Sequence, residues 1–395
     1  MTDLFDKCDS PRVEEYRAAE AVGLAPFFRL MASQSGPVVV HEGREVIMLG
    51  SNNYLGLTVD DRVRRAAQEA LDRYGTGCTG SRLMNGTLPL HNELESELCD
   101  WLGGESCLVF TTGYAANLGL LSTLVGPEDV VIADAASHAS VIDGARLAPG
   151  MLRFFRHSSV ESLARRLQTW KERSVGGAMV AVEGVYSMEG DVPPLGPMSD
   201  VTRAAGARLV VDEAHSLGVL GPKGAGAAAD AGIEPDVVVG TFSKSLASCG
   251  GFIMAPGPVI EFLRIAARPF LFTASGVPAA LGAALAAMRI AREEDWRREA
   301  VRERAAQLRR GLVELGYEVA PSGDSAIVPV RIGDDWAAAR TWRTLLDHGV
   351  YTNCALAPAV PKGRALLRAS VMATHTEAHV KAALAAFEVA RSTSA

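Results

Sequence analysis

The sequence predicts an α/β protein: a large, mostly parallel sheet with helices on both faces, followed by a smaller C-terminal α+β domain. Three observations carry this. Short β-branched runs alternate with helical patterns through the middle of the chain, as in repeated strand–helix–strand units. Runs such as Val210-Val211-Asp212 and Val237-Val238-Val239-Gly240 are apolar without alternation, as befits strands buried on both faces of a parallel sheet. After Thr273 the pattern shifts to long helical stretches with a few short strands.

The strands expected in the large sheet are Cys107–Phe110, Val130–Ala133, Ala178–Glu183, Arg208–Asp212, Asp236–Gly240 and Gly251–Met254. Helices are expected over Asp61–Tyr74, Val160–Arg173 and Pro197–Ala205. Beyond them a helical region runs from about Pro278 to Leu315, then strands at Ala326–Ile332 and Leu366–Val371, and a last helix from Thr376. The first residues read as a helical arm and a strand pair, Val38–His41 and Arg44–Leu49, turning at Glu42-Gly43. The expected division is an arm with its strand pair (1–55), a large domain (56–290) and a small domain (291–395).

With 395 residues, 48% of them hydrophobic, the chain can bury a sizeable core. Its net charge of −7 and scattered Lys and Arg give no footprint for nucleic acid. The most apolar stretch, Val277–Ala291, is too short to span a bilayer comfortably. A buried helix is expected there, with no integral membrane association. Met1 to Ser10 lacks the basic and apolar regions of a signal peptide, so a cytoplasmic location is expected. Cys8, Cys78, Cys99, Cys107, Cys249 and Cys354 form no CxxC pair or metal-ligand spacing. They read as reduced, mostly buried thiols, with no metal site.

The chemistry begins at Val210-Val211-Asp212-Glu213-Ala214-His215, where a strand ends in a carboxylate and an imidazole follows in the turn. Gly240-Thr241-Phe242-Ser243-Lys244-Ser245 again follows a β run. In an open sheet both segments end at one rim. A carboxylate, an imidazole and an amine meeting there suit a cofactor with a pyridine nitrogen, a phenolic oxygen and an aldehyde: pyridoxal 5'-phosphate. Asp212 keeps the ring nitrogen protonated, His215 bonds the phenolic oxygen, and Lys244 forms the Schiff base. Each motif alone is weak, since strands often end in Asp and most lysines are simply exposed. Order and spacing together are far stronger.

Thr111-Thr112-Gly113-Tyr114-Ala115-Ala116-Asn117 links a strand to a helix, whose first N–H groups suit a phosphate. His138 follows the next strand, where its ring could stack on a pyridine. Gly75-Thr76-Gly77-Cys78-Thr79-Gly80 matches G-x-G-x-x-G but follows a helical stretch. A glycine loop near a substrate is therefore expected rather than a dinucleotide fingerprint.

These residues, with Asn52-Asn53-Tyr54-Leu55-Gly56-Leu57, the GTGCTGSR loop and Glu183-Gly184-Val185-Tyr186-Ser187-Met188-Glu189-Gly190-Asp191, resemble the α-oxoamine synthases. The likeness runs from about residue 45 to 380 and is nearest in look to bacterial serine palmitoyltransferase-type members. It implies a fold-type I architecture with a seven-stranded large sheet. It implies condensation of a small amino acid (Ser, Gly or Ala) with an acyl thioester, on CoA or an acyl carrier protein, to an α-amino ketone. For this chain the resemblance makes Lys244 the Schiff-base lysine and the base at Cα, with Asp212 on the ring nitrogen and His215 beside the phenolic oxygen. His138 would stack on the ring, and Glu183 would also border the cofactor. Gly113 and Tyr114 would cradle the phosphate, with hydroxyls from Ser187 and Thr241. Thr273 would reach the cofactor phosphate of a second subunit, implying a homodimer. Asn52 and Arg368 would hold the amino-acid carboxylate. One departure stands out: Leu356 occupies the place where several relatives carry an arginine. Two synthases that act on other thioesters, 8-amino-7-oxononanoate synthase and 2-amino-3-ketobutyrate CoA ligase, remain open readings. So do an aminotransferase, a decarboxylase and a silent partner subunit.

Overall fold

A computed structural model describes residues 3–33, 35–173, 175–321 and 323–394. Its strands in chain order are β1 (Val38–His41), β2 (Arg44–Met48), β3 (Ser106–Phe110), β4 (Val130–Asp134), β5 (Met151–Phe155), β6 (Ala178–Glu183) and β7 (Arg208–Asp212). Then follow β8 (Val237–Thr241), β9 (Gly251–Ala255), β10 (Glu318–Val319), β11 (Ile327–Gly333), β12 (Val350–Tyr351), β13 (Asn353–Ala355) and β14 (Ala365–Ser370).

Seven strands build the central sheet in the order β3-β9-β8-β7-β6-β4-β5. The pairs from β8 through β7, β6 and β4 to β5 are parallel, and only β9 runs against its neighbours. Every residue of β4, β8 and β9 is buried, which is why these segments lack polar alternation. The six strands expected in this sheet are present within a residue or two of their ends. The seventh, β5, has no counterpart in that reading. Met151-Leu152-Arg153-Phe154-Phe155 lies at the sheet edge with three exposed residues, so it lacks the buried run that marks the others.

The small C-terminal sheet is antiparallel, in the order β10-β11-β14-β13. The helical stretch after Pro278 is two helices, Pro278–Glu293 and Asp295–Glu314, rather than one. At the break, the Glu294 carboxylate takes bonds from Arg62 and Arg297. Pro278–Glu293 buries ten of its residues, as expected of a core helix. Among the described residues no helix is long and apolar enough to cross a membrane.

The arm strands do not stand apart. β2 pairs antiparallel with β1 and parallel with β12, so residues near 350 complete the N-terminal sheet. All six cysteines are free, but only Cys107 and Cys354 are buried, while Cys8 and Cys249 are exposed. That corrects the expectation of mostly buried thiols: Cys8 lies in a peripheral turn and Cys249 beside a cavity.

Candidate active site

The carboxyl ends of β4, β6, β7 and β8 and the turn after β3 meet at one rim of the sheet. They open onto a cavity of about 1330 Å³ lined by Asn52, Gly113, Tyr114, His138, Glu183, Ser187, Asp212, His215, Thr241, Lys244 and Arg368. Those sites, far apart in sequence, are therefore brought together. Thr273 is the exception: it lies outside, half-buried, beside Arg82, His91 and Ser275. The glycine loop is also not in this chain's cavity wall. Gly80 and Cys78 bond Ser275 and Gly276 instead.

Parallel register sets Glu183 directly beside Asp212 on neighbouring strands. Both are buried, and two adjacent carboxylates there cannot both ionise cheaply. Burial, then the Asp212 charge, pushes the Glu183 carboxyl well above its usual range, so Glu183 is the neutral member. It accepts the backbone N–H of His138 and so ties that turn to β6. Asp212 accepts from Asn117 Nδ2 at 2.7 Å and from the Ala214 N–H at 3.0 Å. Asn117 also donates to Ser140 Oγ, which bonds His138 Nδ1.

Lys244 sits in the turn after β8. Burial lowers its ammonium pKa, against the raising effects of Asp212 and Glu183. His215 is buried, and burial followed by the Lys244 and Arg368 charges holds it far below its ordinary value; it is a neutral imidazole. Its Nδ1 lies 2.7 Å from the Tyr54 hydroxyl.

Arg368, on β14, is also buried. Its Nε donates to the Ser187 carbonyl, and Nη2 donates to Asn52 Oδ1 and the Tyr54 hydroxyl, each at 3.0 Å. A guanidinium has five N–H donors. The two on Nη1 have no acceptor among the described residues, leaving them for a ligand anion.

The phosphate end is a bare helix start. A Cβ on Gly113 would stand 2.9 Å from Thr241 Cβ, and one on Gly251 would stand 2.4 Å from the Gly113 nitrogen. Both positions must be glycine. Thr112 caps the helix Gly113–Leu124 by accepting from the Ala115 N–H. The helix N-terminus is thus open to an anion. The Thr241 hydroxyl bonds Ser243 Oγ and the Gly250 carbonyl, while Tyr114 donates its hydroxyl proton to Asp143. An amine, a carboxylate, a neutral imidazole and an open helix start are a donor set that fits pyridoxal phosphate.

Tyr54 and Asn117 were given no role in the sequence reading. Both stand in the NNYLGL and TGYAAN motifs, but only folding shows their partners, Arg368 and His215 for one and Asp212 for the other.

Comparison with known proteins gives a consistent result. The family model for aminotransferase class I and II matches residues 44–387. A serine palmitoyltransferase from Caulobacter vibrioides is 46% identical over 384 residues, 96% of this chain and 94% of that protein. A putative 8-amino-7-oxononanoate synthase 2 from Mycobacterium tuberculosis is 40% identical over 98% of this chain and 50% of its own length. Among solved structures, a serine palmitoyltransferase variant from S. paucimobilis with a bound PLP–myriocin aldimine superposes with a TM-score of 0.96. It is 40% identical and covers 100% of this chain and 99% of its own. The chain belongs to the aminotransferase class I and II family, with the fold-type I architecture.

Proposed function

We infer that this protein is a pyridoxal-phosphate-dependent acyltransferase of the α-oxoamine synthase type, similar to serine palmitoyltransferase. It condenses a small amino acid (Ser, Gly or Ala) with an acyl thioester and releases an α-amino ketone, CO₂ and the thiol. The observation that carries the reading is the convergence of Lys244, Asp212, His215 and Arg368 on one cavity. The full-length likeness to serine palmitoyltransferases supports it.

When bound, the cofactor supplies an electron sink for negative charge at the amino-acid Cα. The protein's part is positioning and proton transfer. Asp212, fixed by Asn117, would hold the proton on the ring nitrogen. His215 would bond the phenolic oxygen. Arg368 and Asn52 hold the substrate carboxylate, which orients the Cα–H bond. The Lys244 amine would hold the cofactor's aldehyde carbon and, once free, would serve as the base for the Cα proton. Its lowered pKa keeps more of it neutral near pH 7, as a base needs. The helix start at Gly113 and Tyr114, with the Thr241 and Ser187 hydroxyls, would hold the phosphate, and the His138 ring would cover the pyridine face.

Thr273 fits the same scheme as a contact to the cofactor phosphate of a second subunit, since it lies outside its own chain's cavity. A homodimer working in the cytoplasm is the corresponding assembly. Product analysis tests the reaction. Holoenzyme given serine, glycine or alanine with an acyl-CoA or acyl carrier protein should release thiol and form an amino ketone. A keto-acid pair or a simple amine in its place would assign aminotransfer or decarboxylation.

A further inference from the structure

The cavity is larger than its chemistry requires. Pockets that enclose one small molecule run to about 300–1,000 Å³, against about 1330 Å³ here. The excess lies away from Lys244, where the walls come from the N-terminal arm and from the segments around Trp336 and Leu356.

The arm helix, Pro11–Ala21, is peculiar in its packing. None of its residues is buried, and its half-buried positions, Val13, Tyr16 and Ala19, recur every three residues along one face. All three line the cavity. Arg12 and Glu15 also line it but are exposed. An isolated helix of 11 residues is marginal in water without an apolar face to pack. Among the described residues that face joins none of the hydrophobic cores and lines the cavity. Phe27 and Phe28 extend the same wall, with Phe28 edge-on to Tyr16 at 6.1 Å between centroids.

The segments around Trp336 and Leu356 bring apolar residues to the cavity beside the charged Asp334, Asp335 and Lys362. Leu356 lines the cavity where a family arginine was noted missing, and Met188 packs against the small cluster of Ala355, Val360 and Leu366. Met188 directly follows Ser187, whose carbonyl Arg368 holds. One cavity thus takes in the carboxylate clamp at Arg368, Met188 and Leu356, and the half-buried face of the arm helix.

We propose that the arm helix and Phe27-Phe28 are the roof of the subsite for the hydrocarbon chain of the acyl thioester, and that Val13, Tyr16 and Ala19 set the chain length accepted. The hydrocarbon chain would pack on the half-buried face of the helix. The proposal rests on the acyl-transfer reading above and adds to it the residues that measure the chain. Each methylene buried there should raise kcat/KM about fourfold, until the roof is filled.

The test uses holoenzyme, wild type and the variants Val13→Trp and Ala19→Trp, assayed for thiol release with acyl-CoA of increasing chain length. Neither position is in the core, so folding should be unaffected. Amino-acid affinity is read separately from the cofactor's absorbance. The expected result is a loss of at least tenfold in kcat/KM on the longest chains, little change on short ones, and unchanged amino-acid affinity. A chain-length profile identical to wild type would overturn the proposal. So would a variant that alters only subunit dissociation in sedimentation, which would assign the helix face to a second copy. If wild type releases no thiol from any acyl-CoA or acyl carrier protein, the acyl-transfer reading falls and takes this subsite with it.

Discussion

Tyr54 and His215 share a 2.7 Å hydrogen bond that fixes which nitrogen of the imidazole carries its proton. The tyrosine hydroxyl has one proton to give. Arg368 donates to that oxygen, and of the two acceptors within the proton's reach His215 Nδ1 at 2.7 Å is nearer than Asn52 Oδ1 at 3.2 Å. With Nδ1 as acceptor, a neutral His215 carries its hydrogen on Nε2. Tyr54→Phe removes this control while keeping the buried ring. We expect a fall of about tenfold in kcat/KM, the size of one net hydrogen bond, together with a changed pH dependence of the bound cofactor's absorbance. An unchanged pH dependence would show that Tyr54 only packs.

Glu183 and Asp212 are neighbours in register, and burial, then the Asp212 charge, pushes the Glu183 carboxyl well above its usual range. Replacing each by its amide should therefore give unequal results. Glu183→Gln swaps a neutral acid for a neutral amide that can still accept the His138 N–H, and activity should stay within about threefold of wild type. Asp212→Asn removes the charge paired with the ring nitrogen and should cost on the order of 100-fold in kcat, the scale of a charge-assisted bond. Steady-state kinetics on the two variants decide it; equal losses would contradict the assignment.

Arg368 needs its fork. It commits three donors to Ser187, Asn52 and Tyr54, which aims the remaining pair. Lysine keeps the charge but loses that geometry. Titrating Arg368→Lys holoenzyme with amino acid should show affinity weakened roughly 10- to 100-fold, with cofactor binding intact. Unaltered affinity would place the carboxylate elsewhere.

His157 ties two site segments through charge. Its Nδ1 donates to Asp134, at the end of β4 before His138, and its Nε2 to Asp191, just past the Ser187 loop. These carboxylates raise its pKa from 6.5 to about 10, against the lowering effect of burial. A folded-state pKa above the unfolded value stabilises fully at low pH and is lost as pH rises. The His157 contribution should therefore be complete below about 6.5 and gone above about 10. Thermal unfolding of wild type and His157→Gln should differ most near pH 6 and converge by pH 10; a constant difference would refute the paired imidazolium.

Most of the large sheet was legible because its strands are buried on both faces and write continuous apolar runs. The edge strand Met151–Phe155 was not, since exposure removes that signal. Pairing of β2 with β12 was also hidden, because it joins residues some 300 apart and no local pattern records it. In the site, Lys244, Asp212 and His215 could be placed from spacing after strands. Asn117 and Tyr54 could not, since their importance lies in which distant groups they bond. Thr273 and the glycine loop were readable as motifs, yet in this chain they lie outside its own cavity.

The central claim is that Lys244 holds the cofactor. Borohydride reduction of the holoenzyme locks any lysine–aldehyde bond, and peptide mass mapping then finds the residue. The account predicts a phosphopyridoxyl mass on the peptide containing Lys244 and on no other. The same label on Lys7, Lys171, Lys223, Lys362 or Lys381, or no label on a yellow, active protein, would contradict it.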